Sequence, residues 1–395
     1  MPIVIQREQV QRLADAAAVR HGLRQTAATD LRTIFAPTFD ATAWLAVCEA
    51  AVKTGEWSGA LFNLDEPVNQ SLAFGDVPQQ YVLLSADGSQ ILPNRHSFAH
   101  YYFLQAATAC IVYGVDPKSE ALLAAEAISK KSANHLEFDD KKLYDDNGEL
   151  ISGGAIANKR DVLEIELLAE RCRLFAEAGM KPIAVADGSI VPFALLNPNF
   201  LRDRKSAREL SDRIAEALNV MRKAGAVVAG YIDRPDSNAM VRAARLAHKS
   251  ASLINKQSLR QLEEGALPMS DRDLLAHWLP PQHRTALFDP GWAVNDSQWL
   301  GRYKHDMRAC YVNFGETTGD YAILGRIEVP TWCVPHIGMV AAILQRQAHL
   351  GGGYPFILKA AHEEAVVTKE DQAGLEKLIQ TELRERGIQI GRAHV

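Results

Sequence analysis

One tetrapeptide occurs twice in this chain, each time directly after a short apolar run. Ala86-Asp87-Gly88-Ser89 follows Tyr81-Val82-Leu83-Leu84, and Ala186-Asp187-Gly188-Ser189 follows Pro182-Ile183-Ala184-Val185. An apolar run of strand length that ends at a turn signal is typical of a buried strand. The sequence therefore predicts two buried strands, each ending in a carboxylate at an Asp-Gly turn. Two carboxylates held rigidly side by side can bind divalent metal ions, which favours a metal-dependent hydrolase.

The same tetrapeptides have a plainer interpretation as hairpin turns. Gly accepts a positive φ, and the Asp side chain bonds to nearby backbone, so Asp-Gly is a common hairpin signal. The segments 90–93 and 190–193 fit the second strand of such a hairpin. On this interpretation Asp87 and Asp187 are turn residues, and both interpretations stay open at this point.

Composition is that of an ordinary globular protein. The 395 residues are 47% hydrophobic and 23% charged, and the net charge of -5 neither indicates nor excludes nucleic-acid binding, which depends on a local basic face. The five cysteines are scattered and include no Cys-x-x-Cys, which argues against a zinc site or a disulfide framework. No signal layout opens the chain, and no apolar stretch reaches the roughly 18 residues of a membrane helix. We therefore expect a cytoplasmic protein with no membrane association.

Strands and helices alternate along the chain, which predicts an α/β fold. Helices are expected over most of 7–53, and over 158–178, 206–224, 238–253, 257–264, 271–279, 334–349, 356–366 and 369–386. Further strands are expected at 226–232 and, as an antiparallel pair, at 308–314 and 321–329. The polar run 138–148 is expected to be a solvated hairpin.

A third acidic position lies on the helix expected before the second tetrapeptide. Glu164 and Glu166 are the candidates, and helical spacing places Glu164 beside Arg160. The pair is therefore also interpretable as a surface ion pair at i,i+4. Three carboxylates around one or two divalent ions form a phosphodiesterase centre, because bound metal lowers the pKa of water and stabilises the leaving oxygen.

These motifs and their order resemble the NurA family of DNA nucleases, whose core resembles the RNase H fold. The resemblance extends over about residues 81–371. Its segments are Ala86-Asp87-Gly88-Ser89-Gln90 with Pro93, Arg95 and His96; Arg160 with Leu163-Glu164; Ala186-Asp187-Gly188-Ser189; Gly230-Tyr231-Ile232-Asp233-Arg234-Pro235; Leu324-Gly325-Arg326-Ile327-Glu328-Val329-Pro330; and Tyr354 to Ala365.

The resemblance implies an α/β fold with an RNase H-like mixed sheet flanked by helices. Residues 1–75 carry no part of the resemblance and are expected to form an N-terminal helical region. The NurA-like nuclease domain is expected at 76–395, with the RNase H-like core at about 78–235 and 305–395 and a helical insertion at about 236–304. Carried over by position, four residues would be both catalytic and metal-binding, with His362 as a ligand or a proton-transfer group: Asp87, Glu164, Asp187 and His362. The metal implied is manganese, with magnesium as the alternative ion, and Glu166 is the alternative to Glu164.

DNA binding requires cations that contact phosphates. The predicted DNA-binding residues are Arg234, Arg242, Arg245, Lys249, Lys256 and Arg260, and a second basic stretch contains Arg202, Arg204, Lys205 and Arg208. Charges on helices are also common on solvated faces that bind nothing. The aromatic run 101–103 could stack on unpaired bases, but core packing is the favoured interpretation.

No Walker A sequence is present, so the chain is not expected to drive translocation itself. The resemblance implies a HerA-type hexameric ATPase as the partner and a homodimer that surrounds DNA. It implies 5′ to 3′ exonuclease and single-strand endonuclease activity in DNA end processing or anti-phage defence.

Two alternatives to this function remain. One is a catalytically weak RNase H-like adaptor that binds DNA and docks a motor, favoured by Asp233 where the family often has Lys. The other is a two-carboxylate glycoside hydrolase, which the aromatic content of 7% argues against.

Overall fold

The computed structural model of the chain describes residues 7–62, 65–94, 99–115, 132–144, 148–191, 204–264, 266–290, 307–317 and 319–388. Arg95 and His96 of the first motif and Arg202 of the second basic stretch lie outside these residues. So does most of the segment that follows the second tetrapeptide. The described chain divides into two compact units, which are 1–75 with 232–296 and 304–327, and 76–231 with 297–303 and 328–395. The domain boundaries expected from the sequence stay a prediction.

The helices lie close to their predicted positions. They are α1 (Arg7–Leu31), α2 (Ala41–Lys53), α3 (Asp140–Leu143), α4 (Gly153–Glu177), α5 (Arg204–Lys223), α6 (Ala239–Arg245), α7 (Lys256–Glu263), α8 (Asp271–Leu275), α9 (Ile337–Leu350), α10 (Phe356–Ala365) and α11 (Lys369–Glu385). Three helices have side-chain N-caps: Asp40 caps α2, Ser152 caps α4 and Thr368 caps α11. Each of these side chains accepts a backbone N–H of the first helical turn. Short 3-10 helices span Arg32–Phe35, Ala251–Leu253 and Thr331–His336.

The strands include the predicted ones and several short additions. They are β1 (Leu61–Phe62), β2 (Leu72–Ala73), β3 (Tyr81–Ile91), β4 (Tyr102–Tyr113), β5 (Ala133–Glu137), β6 (Pro182–Asp187), β7 (Val227–Asp233), β8 (His283–Arg284), β9 (Phe288–Asp289), β10 (Met307–Thr317) and β11 (Gly319–Pro330). Both β7 and β11 have residues in each of the two units.

The unit that contains both tetrapeptides has a mixed sheet with strand order β7-β6-β3-β4-β5. β4 is antiparallel to both β3 and β5, whereas β6 is parallel to both β3 and β7. The first six residues of β3 are all buried, as expected of a strand that is covered on both faces. Helices α4 and α10 both pack on this sheet. The mixed sheet and its flanking helices confirm the expected RNase H-like α/β fold class.

The other unit combines the N-terminal helices with α6 to α8 and strands β1, β2, β8, β9 and β10. Its core contains Trp44, whose indole N–H donates to the Ala243 carbonyl at 2.8 Å, and a stacked pair of Phe35 and Trp278. Asp271 is fully buried at the start of α8 and accepts the Val241 N–H at 2.9 Å. A buried carboxylate that is satisfied in this way holds α8 against α6.

Two local expectations were wrong. The first tetrapeptide is not a turn, because Asp87, Gly88 and Ser89 lie inside β3, which stays paired with β4 as far as Ile91 opposite Phe103. Residues 140–143 are helical and so do not form the expected hairpin, because Leu143 is fully buried in a small apolar cluster. Of the aromatic run 101–103, Tyr101 and Tyr102 belong to the core, as favoured, and Phe103 is half-buried. Within the described ranges, every helix is too short or too polar to serve as a membrane span.

Candidate active site

The register of two parallel strands places the two tetrapeptide carboxylates at the same edge of the sheet. β3 and β6 pair from Val82 opposite Pro182 to Ala86 opposite Ala186. Asp87 and Asp187 are the next residue on each strand, where the pairing of β3 with β6 ends. Both aspartates lie on strands, as predicted, and the structure adds that the two strands are neighbours. Only the second aspartate is followed by a turn. There Gly188 has a φ of 92° and donates its N–H to the Tyr231 carbonyl at 2.7 Å.

Helix α4 approaches β3 at Gly88 so closely that no side chain fits. A Cβ at Gly88 would lie 2.6 Å from Glu164 Oε1, 2.8 Å from Arg160 Cγ and 2.9 Å from the Gln105 carbonyl oxygen. Contacts this short do not occur for real Cβ atoms, so the glycine is a steric requirement of the site. The absent side chain at Gly88 brings the Glu164 carboxylate directly against the strand that carries Asp87.

Glu164 is the most perturbed carboxyl group at this edge. Its side chain is 17% exposed, and Arg160 Nε lies 3.1 Å from Oε1 without forming a hydrogen bond to it. Burial raises the pKa of Glu164 to about 8, and the negative charges of Asp161, Asp87 and Asp187 act in the same direction against the opposing Arg160. Burial likewise raises the pKa of Asp161. Three neighbouring carboxylates therefore add to burial in disfavouring the ionisation of Glu164.

Glu166, the alternative second acid, has a different partner. Arg213 on α5 donates to both of its carboxylate oxygens, each at 2.7 Å. Glu164 instead points at Gly88, with Oε1 only 2.6 Å from the place a Cβ would take there. The geometry therefore favours Glu164 over Glu166 as the acid of the site.

His362 is brought to the same strand by α10. Its Nδ1 lies 2.6 Å from Asp87 Oδ2, while the imidazole is 67% exposed and the Asp87 carboxylate 19% exposed. The other Asp87 oxygen, Oδ1, accepts the Gly88 N–H at 2.7 Å. His362 thus holds Asp87 from the solvent side, and its second ring nitrogen is available for a further contact.

Neighbouring side chains that bear no predicted chemistry support these groups. Ser89 and Gln105 hydrogen-bond to the end of α10, and Ser189 donates to Oε2 of the fully buried Glu328 at 2.6 Å. The sequence offered one signal for the two serines, namely their place in the repeated tetrapeptide. It offered none for Gln105.

The predicted DNA-binding cations all lie in the other unit and are largely engaged in ion pairs. Arg242 and Arg245 approach Glu263 at 3.2 and 3.8 Å, and Lys256 and Arg260 approach Glu56 at 3.3 and 3.1 Å. Arg234 has a φ of 41°, and its Nε lies 3.7 Å from Asp233. Lys249 is exposed. Their role in DNA binding stays a prediction.

The chemistry of the acidic edge fits a divalent cation. Its donors are carboxylate oxygens and one imidazole, and the buried Oε1 of Glu164 accepts no hydrogen bond from the described residues. In the described part of the chain, no three acidic, histidine or cysteine side chains already form a ready coordination sphere. The donor set therefore suits a divalent cation, and ligand side chains would have to adjust around the ion.

The acids cluster at the carboxyl ends of parallel strands in an open α/β sheet, which is where such sheets bind their ligands. The sequence comparison is more specific. The family model of the NurA domain matches residues 81–367, which is most of the chain. The chain belongs to the NurA family, and this membership supports a nuclease, which is a hydrolase. Among curated proteins, none matches the chain in sequence.

Proposed function

We propose that this protein is a divalent-metal-dependent deoxyribonuclease that hydrolyses phosphodiester bonds. The observation that carries the proposal is that Asp87, Asp161 and Asp187 lie around Glu164 at one edge of the sheet. This sheet belongs to a NurA domain. A buried carboxylate whose ionisation is opposed by neighbouring acids is costly in a folded protein unless a cation neutralises it. Such a cluster is therefore typical of a site that binds metal and substrate phosphate.

Asp87, Glu164 and Asp187 would hold the metal, manganese or magnesium, and His362 is a ligand or a proton-transfer group. When bound, the metal would supply an activated water and charge stabilisation at the leaving oxygen. Arg160 keeps the Glu164 carboxylate next to β3. His362 orients Asp87 through Nδ1, and its Nε2 can accept or donate a proton at the reacting phosphate.

We further propose the activities and associations that the family resemblance implies. These are 5′ to 3′ exonuclease and single-strand endonuclease action, a homodimer, and a HerA-type hexameric ATPase that moves DNA during end processing or anti-phage defence. The chain has no Walker A sequence, so a separate motor would supply the translocation.

The experiment uses end-labelled single- and double-stranded DNA with manganese, magnesium or chelator. Wild type is compared with Asp87→Asn and Asp187→Asn, and with Asp76→Asn as the matched control, since Asp76 is an exposed loop residue of the same unit. Metal-dependent cleavage that both site variants lose and the control keeps would support the proposal. Cleavage that survives both site substitutions would refute the assignment of the site.

A second candidate function is a catalytically weak adaptor that binds DNA and docks a motor. Two observations favour it, namely Asp233 where the family often has Lys, and the lack of a ready coordination sphere among the described residues. It predicts no cleavage in any metal, even with a HerA-type ATPase and ATP. It also predicts that Asp187→Asn leaves DNA binding and motor binding unchanged.

A further inference from the structure

The serine of the first tetrapeptide takes no part in the chemistry proposed above, yet its hydroxyl makes two hydrogen bonds to one helix end. Ser89 Oγ donates to the Ala365 carbonyl oxygen at 2.5 Å and accepts the Val367 N–H at 3.1 Å. Gln105 Nε2, on the adjacent strand β4, donates to the same Ala365 carbonyl at 3.2 Å. Side chains of two neighbouring strands thus hold the end of α10.

These contacts replace the usual way in which a helix ends. The last carbonyls of a helix have no partner within the helix, and a glycine in left-handed conformation commonly lets the following N–H groups satisfy them. Here the residue after α10 is Val366, with extended backbone at φ -60° and ψ 124°. The donors for the Ala365 carbonyl come from the sheet instead, so the position of the helix end depends on β3 and β4.

The geometry relates this helix end to the site. Alternate residues of a strand face the same side, so Asp87 and Ser89 both face α10. On the helix, His362 and Ala365 are three residues apart and lie on one face. The helix is therefore fixed to β3 at two points, by His362 to Asp87 and by the helix end to Ser89.

We propose that Ser89, assisted by Gln105, is a positioning residue that holds His362 over Asp87. This inference rests on the proposed function, since it assigns His362 a task at the site. When Asp87 or His362 takes part in binding or proton transfer, their direct hydrogen bond gives way. The contacts of Ser89 then still tie the end of α10 to the strand, beside the packing of the helix on the sheet.

The kinetic test compares Ser89→Ala with wild type, His362→Ala and the double variant. Because a misplacement of about 1 Å can cost up to about 100-fold in rate, we expect Ser89→Ala to lower kcat about 10-fold. KM for DNA should stay within about twofold, because Ser89 only acts through the helix. In the His362→Ala background, Ser89→Ala should cost nothing more, since the group it positions is already gone.

Thr368→Ala is the matched control. It removes a hydroxyl that accepts the Asp371 N–H at the start of α11, one residue after Val367, and should leave kcat unchanged. A wild-type kcat in Ser89→Ala would overturn the proposal. The proposal would also be overturned if Ser89→Ala lowered kcat by the same factor in the His362→Ala background as in wild type. Such additivity would mean that Ser89 acts independently of His362.

A measurement without DNA separates this inference from the proposed function. Hydrogen–deuterium exchange over 356–367 should rise in Ser89→Ala and stay unchanged over α4, with Thr368→Ala again as the control. Unchanged exchange over 356–367 would overturn the positioning role even if the nuclease activity is real. If wild type cleaves no DNA in any metal, the proposed function fails, and increased exchange would still establish that Ser89 holds the helix.

Discussion

Replacing Glu164 by Gln should make the metal-free protein more stable at neutral and alkaline pH. The pKa of Glu164 is raised from 4.5 to about 8 in the folded protein, so the folded state resists its ionisation. A carboxyl group with a raised pKa contributes stability that is complete below its unfolded pKa and is lost as pH rises through the folded one. Wild type therefore loses stability between about pH 4.5 and pH 8, and the neutral amide of Glu164→Gln does not.

The magnitude follows from the size of the pKa shift. Each pKa unit corresponds to about 1.4 kcal/mol, so the stability that ionisation of Glu164 removes is about 2 kcal/mol at pH 6 and about 4 kcal/mol at pH 8. The amide of Glu164→Gln has nearly the same size and shape as the carboxyl group that it replaces. Arg160 still has Asp161 as its ion-pair partner at 2.7 Å. The gain of Glu164→Gln over wild type should therefore grow with pH, up to that size.

The assay is urea unfolding in chelator at several pH values between 5 and 8.5. Glu166→Gln is the matched control, two residues further along α4, where it removes a half-exposed pair with Arg213. Such a pair is worth about 1 kcal/mol or less, so this control should be neutral or slightly less stable than wild type at every pH. Manganese should stabilise wild type and Glu166→Gln, but stabilise Glu164→Gln much less.

A stability difference between Glu164→Gln and wild type that does not change with pH would refute the reasoning. It would mean that the Glu164 carboxylate is well solvated or fully compensated by Arg160 in the folded protein. Equal stabilisation of wild type and Glu164→Gln by manganese would remove Glu164 from the list of metal ligands.

Three further predictions address the packing around the two cores. Gly88→Ala should lower the free energy of unfolding in urea by about 1–3 kcal/mol, because its Cβ would overlap Glu164. The control Gly374→Ala lies on α11 with nothing within 4 Å of the new Cβ and should raise it by about 0.5–1 kcal/mol. Equal stabilities of the two variants would contradict the close approach at Gly88. Glu66→Ala should cost about 2–3 kcal/mol, since it leaves the buried Arg284 without the carboxylate it contacts at 2.6 Å, and an unchanged melting temperature would show that water satisfies Arg284. In native protein at pH 8, a thiol reagent should modify Cys110 first, because the other four cysteines are buried; rapid reaction of all five would show that the cores open.

Much of the fold could be predicted from the sequence, because its signals are local. The Asp40 cap of α2 and the Ser152 cap of α4 each act within the first turn of the helix, and the structure has both elements. The apolar runs of β3, β6 and β7 likewise predict strands that are covered on both faces. The parallel pairing of β3 with β6, which puts Asp87 and Asp187 at the same edge, was not predicted, because spacing along the sequence does not fix spacing in the structure.

The features that could not be predicted depend on contacts between distant parts of the chain. The prediction of a turn at Asp87 was wrong because β4 stays paired with β3 past Asp87, as far as Ile91. The local Asp-Gly signal does not outweigh those backbone hydrogen bonds. The choice between Glu164 and Glu166 depends on Arg213, 47 residues further along the chain. The hydrogen bond from Gln105 to the Ala365 carbonyl of α10 joins residues 260 positions apart, and no motif in the sequence predicts it.

Because Asp87 lies in the middle of a paired strand, the first motif cannot accommodate changes in chain length. Loops absorb insertions and deletions, but in a strand the loss of one residue before Asp87 turns every following side chain to the opposite face. Gly88 would then point toward α10, and a carboxylate would be driven into α4. Variation among related chains should therefore appear as insertions before Tyr81 or after Ile91, and the spacing between these two residues should stay constant.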